Sequence, residues 1–126
     1  MDPRFVTQKI HAYLDYPVAF SLMTLPFLLG LGATNPIALW LSVATGVAAL
    51  ALTLLTDHET GVVRILPYSF HLAVDGLVGL AFVAAPILFG FKGLDAFYYA
   101  GLGATVLVVV GLHRRTPAVT PTLQRA

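Results

Sequence analysis

A histidine stands four residues ahead of an aspartate twice in this chain, at His11–Asp15 and again at His71–Asp75. Neutral imidazole and carboxylate form a donor set that suits zinc, manganese and ferrous iron, and a carboxylate beside an imidazole can also orient it as a ligand. The stretch Thr56–Glu59, "TDHE", offers Asp57, His58 and Glu59 as further donors from another part of the chain. The residues placed as candidate ligands of a divalent metal are therefore His11, Asp15, His71, Asp75, Asp57 and Glu59. Other chemistries fit some of the same positions. His11 and His71 can be drawn as the axial ligands of a haem, although both lie near the ends of their apolar runs, where a haem has little depth. Buried Asp and His also make proton relays, but the far half of each run supplies only Ser21, Thr24, Ser42 and Thr45 as moderately polar residues, which trace no continuous path. The alternative to all of these is structural. An aspartate one turn below a histidine can tether a helix start, where the macrodipole favours acids, and Arg4 or Arg64 can complete a buried network.

The elements that carry these residues are apolar. Of 126 residues, 58% are hydrophobic and only 10% are charged, against about 25% charged in a typical soluble domain. Such a chain cannot clothe a water-facing surface, so the composition points to an integral membrane protein. Four runs are long enough to cross a bilayer as helices, roughly 10–31, 36–55, 68–91 and 96–112. Helix is favoured over strand because the backbone must satisfy itself in lipid and no alternation is visible. Asn35 followed by Pro36 is a good helix start, Asp95 holds the equivalent place before the fourth run, and Thr56 with Glu59 has capping-box spacing. There is no cysteine, which excludes disulfides, thiolate metal sites and cysteine nucleophiles. The near-neutral charge gives no footprint for nucleic acid. No conventional hydrolase, phosphate-loop or dinucleotide motif is present, so no enzymatic activity is read here.

Sliding the sequence by 60 places His11 on His71, Asp15 on Asp75, Pro26 on Pro86, Gly30 on Gly90 and Thr45 on Thr105. The chain therefore reads as a duplicated helical hairpin, repeat 1 over 1–60 and repeat 2 over 61–116, followed by a flexible tail, 117–126. Two spans per copy give both copies one orientation, so the pseudo-twofold runs along the membrane normal. Each copy has a proline late in its first helix followed by an apolar stretch ending in glycine, "LPFLLG" at Leu25–Gly30 and "APILFG" at Ala85–Gly90. In this the chain resembles the SPW-repeat family of small bacterial membrane proteins, the proline of the family's Ser-Pro-Trp triplet falling at Pro26 and Pro86. The resemblance implies two-helix repeats in a membrane and brings no reaction with it.

With four spans, both termini and the middle loop share a side. That side holds Arg4, Lys9, Arg64, Arg114, Arg115 and Arg125, and the other holds only Lys92. The positive-inside rule then puts the termini in the cytoplasm of a bacterial-type inner membrane, with the histidines near the cytoplasmic face. Pro17, Pro26 and Pro86 should kink their helices. Gly76, Gly79, Ser42, Gly46, Ala49, Gly101 and Ala104 should let helices approach closely. Phe89, Phe91, Phe97, Tyr98 and Tyr99 read as an aromatic belt. The role expected from sequence is a structural or accessory component of a membrane complex, its partners being the bilayer and other membrane subunits or further copies of itself. Divalent-cation binding is the alternative.

Overall fold

A computed structural model of the chain describes residues 3–113. It contains four helices, α1 (Gln8–Leu28), α2 (Ile37–Leu55), α3 (Tyr68–Phe89) and α4 (Gly93–Gly111). There is no strand among the described residues, only two isolated β-bridges. The tail and Arg114, Arg115 and Arg125 lie outside the described residues. Three helices, α2, α3 and α4, are long and apolar enough to cross a membrane. The first is long enough too, with 21 residues, but Gln8, Lys9, His11, Asp15 and two prolines dilute it.

The helices pack as neighbours in sequence, α1 on α2 and α3 on α4, while the two pairs touch each other little. Close approach within each pair depends on glycine. A Cβ on Gly46 would come within 2.8 Å of the Ala19 carbonyl of α1. One on Gly103 would come within 2.7 Å of both the Gly79 carbonyl and the Val83 amide of α3. Gly76 and Gly101, expected to serve the same purpose, face open space.

The pairs meet mainly at their two ends. At one end the helix-connecting loops join: the Asn35 side-chain amide donates to the Phe89 carbonyl, and the Gly32 amide donates to Asp95 Oδ1. Asp95 is therefore buried in the first turn of α4 and anchors the opposite loop instead of capping its own helix, which begins three residues earlier than expected. Asn35 does cap α2, accepting from the Ile37 amide. The buried apolar core lies at this end and includes Leu22, Ala38, Phe82, Phe91, Tyr98 and Tyr99.

Two tyrosines expected in a surface belt are thus core residues. Tyr98 and Tyr99 are buried because polar partners await them inside, whereas Phe97 is 80% exposed. Tyr99 donates to the Ala38 carbonyl at 2.7 Å. Tyr98 meets Ser42, and the reason lies in α1. Proline at position 26 has no N–H, so the Leu22 carbonyl loses its helical donor. The Ser42 hydroxyl fills that role, donating to Leu22 O at 2.7 Å, and this leaves its oxygen to accept from Tyr98 at 2.6 Å. One proline in α1 is thus answered by a serine in α2 and a tyrosine in α4.

At the opposite end the segment before α1 runs beside the end of α4, with the Val6 amide donating to Leu112 O. The connection between α2 and α3 sits there as well, since Thr56 bridges Leu66 and Gln8 reaches the Asp57 carbonyl. All four histidines are buried at this end.

Candidate metal centre

His11 and His71 each lie in the first turn of a helix. Thr7 caps α1 by accepting from the Ile10 amide, and α3 starts directly after Pro67, whose fixed φ suits the turn into a helix. The aspartate four residues on falls on the same face one turn deeper. Packing the two helix starts side by side brings both faces together. His11 Nε2 lies 2.7 Å from Asp75 Oδ2 and 3.2 Å from Asp15 Oδ1. His71 Nε2 lies 3.4 Å from an oxygen of each aspartate. One donor atom from each of the four residues falls within 4.8 Å of every other. Each histidine thus contacts the aspartate of its own helix and that of the other.

A further set of residues holds these four. The Thr56 hydroxyl has one hydrogen and gives it to the Leu52 carbonyl at 2.6 Å. Its oxygen therefore accepts from His71 Nδ1 at 2.7 Å. That hydrogen bond fixes the His71 ring and turns Nε2 towards the carboxylates, as an outer residue does for a ligating histidine. His58 is fully buried and places Nε2 3.2 Å from Asp15 Oδ2. The Nδ1 atoms of His11 and His58 are buried without a hydrogen-bond partner. Tyr68 and His113 close the cluster, the phenol lying 2.6 Å from His113 Nε2. Burial, and secondarily the charge of neighbouring His11, hold the His113 imidazolium below its ordinary range.

Asp57 and Glu59, placed above among the candidate ligands, lie outside this group and are exposed. The backbone at Thr56 is extended, so side chains alternate, with Thr56 and His58 turned inward and Asp57 and Glu59 outward. Thr56 consequently serves His71 and does not form a capping box. Gly61 is required to finish the turn, because a Cβ there would collide with the Thr56 carbonyl. The Arg64 guanidinium donates to the Glu59 and Gly61 carbonyls of the same turn and does not reach the carboxylates.

No family model, curated protein or solved structure matches this chain. The centre is therefore read from its chemistry alone. Two partly buried carboxylates this close together call for compensating positive charge. Two imidazolium groups can supply it, and so can one divalent cation held by neutral imidazoles. Around a tetrahedral ion with bonds of about 2.0–2.1 Å, donors stand about 3.3 Å apart. Three of the nitrogen–oxygen separations, 3.2–3.4 Å, match that spacing, although they draw on both Asp15 oxygens, and the 2.7 Å between His11 and Asp75 is shorter than it. With one donor atom from each residue the set spans up to 4.8 Å, so the side chains would shift slightly to close on an ion.

Next to the centre, between the helix pairs, is a cavity of about 410 Å³. All four helices line it, and apart from His11, Asp15, His71, Asp75 and three threonines its walls are apolar.

Proposed function

We propose that this chain is a four-span, inner-membrane protein that binds a divalent transition metal through His11, Asp15, His71 and Asp75. The observation that carries the reading is the convergence of two imidazole nitrogens and two carboxylate oxygens, one pair from α1 and one from α3, within 4.8 Å of one another. The Thr56 hydrogen bond to His71 supports it, because it leaves the ring's ligating nitrogen facing the carboxylates. Membrane residence is supported by the three apolar helices and by large side chains such as Phe27, Leu28, Ile87, Leu88 and Phe97 on the outside of the bundle. A cytoplasmic position for the termini follows from the basic residues of the sequence and fits the meeting of Val6, Thr56 and His113 at one end. The matched positions of His11 with His71 and of Asp15 with Asp75 support duplication of a helical hairpin.

A second reading is architectural: an accessory subunit in which protonated histidines and the aspartates lock the hairpins together. It is favoured by the same separations, since 2.7–3.4 Å is also hydrogen-bond distance. Elemental analysis of the purified full-length protein, isolated without a histidine tag, separates the two. The metal reading expects close to one equivalent of zinc, manganese or iron per chain, lost in His71→Ala and Asp75→Asn. Protein that stays metal-free after incubation with each of these ions, yet unfolds more readily as Asp75→Asn, rejects the metal reading in favour of the lock.

A further inference from the structure

The cavity beside the centre is unlike an ordinary packing defect. It is lined by side chains from both pairs, among them Val18, Ala49, Leu52, Val78, Leu102 and Val106, so it stands where two bundle halves would otherwise pack on each other. Walls this apolar hold water poorly, so an apolar occupant is called for. Its volume lies at the small end of the range for small-molecule sites, about 300–1,000 Å³, enough for a single chain and too little for the paired chains of a phospholipid. Leu14, Val18 and Phe70 both line it and are exposed, so it reaches the apolar flank of the bundle, where lipid chains lie. The polarity of its walls is one-sided. The ionisable groups are His11, Asp15, His71 and Asp75, and all belong to the candidate metal centre.

We infer that the cavity binds one long-chain fatty acid, with the chain between the helix pairs and the carboxylate on the cation held by the His–Asp centre. The placement of the head rests on the metal reading proposed above. Without a cation, Asp15 and Asp75 would repel a carboxylate, whereas a divalent ion with four protein donors can accept a further oxygen. The seat of the chain depends only on the shape and apolarity of the cavity.

Titration of cis-parinaric acid, a fluorescent long-chain fatty acid, into the metal-loaded full-length protein in amphipol tests this. The expected result is saturable one-to-one binding, displaced by palmitate. Ala49→Phe and Val106→Phe, which fill the cavity from opposite pairs, should each weaken binding at least tenfold while retaining metal. Chelation of the metal should also weaken it at least tenfold. Stoichiometric metal with no saturable fatty-acid binding would overturn this inference and leave the metal reading standing. Binding that survives both cavity variants would place the chain elsewhere and overturn it as well. Binding lost in the cavity variants but indifferent to chelation would overturn the placement of the head, and a chain that takes up no metal at all would do the same by removing its partner.

Discussion

Thr56→Val removes one hydroxyl and keeps the shape of the side chain. Thr56 is fully buried and its oxygen is the partner of His71 Nδ1 at 2.7 Å. Valine leaves that N–H without an acceptor and the ring free to turn. Loss of an outer hydrogen bond of this kind weakens metal binding by about 10–100-fold, which is about 1.4–2.8 kcal/mol. Isothermal titration of zinc or manganese into the purified protein measures it directly. Thr56→Ser keeps the hydroxyl and should bind within about twofold of the unaltered chain. An unchanged affinity in Thr56→Val, with the protein folded and loaded, would refute the argument that Thr56 positions a ligand. It would also return the threonine to a purely structural role.

Protons compete with a cation for the two imidazoles, so metal affinity should fall by about tenfold or more between about pH 7.5 and pH 5.5, measured by competition with a chelator of known affinity. Ser42→Ala strips partners from the Leu22 carbonyl and the Tyr98 hydroxyl, and should cost about 1–3 kcal/mol in unfolding by mixed-micelle titration. Adding Tyr98→Phe should cost little more. Gly103→Ala drives a methyl into the α3 backbone and should cost about 1–3 kcal/mol in the same assay, whereas Gly101→Ala, with nothing within 4 Å, should stay within about 0.5 kcal/mol.

The apolar runs placed the helices to within a few residues, because their lengths and the turn chemistry of Asn35-Pro36 mark where helices can start. The matched spacing of His11–Asp15 and His71–Asp75 pointed to the four residues that meet, since a four-residue offset fixes a shared helical face whatever the neighbours are. What periodicity could not reveal lay outside regular helix. Whether Asp57 or His58 faces inward depends on one extended residue, Thr56, and no helical period governs it. Tyr98 and Tyr99 resembled an interfacial belt because aromatic clusters near span ends usually are one. Their burial depends on acceptors at Ser42 and Ala38, 56 and 61 residues away in sequence. The pairing of Pro26 with Ser42 was legible in principle, since a proline inside a helix leaves a carbonyl to be satisfied. No local signal says which hydroxyl does it. The cavity has no counterpart in the sequence at all, because it arises from how two helix pairs fail to close on each other.

The segregation of packing into α1 with α2 and α3 with α4 bears on how the molecule is made. Most of its helix contacts join elements adjacent in the chain, so each half can mature as soon as it leaves the ribosome, before the other exists. Docking of the halves then resembles a clasp that snaps at both tips and stays slack along its length. Severing the link near Val62 and Val63, which are exposed, would leave two pieces that still carry the complementary tips. A split version of the chain should therefore reassemble in the cell, and its reassembly would report on the clasp alone.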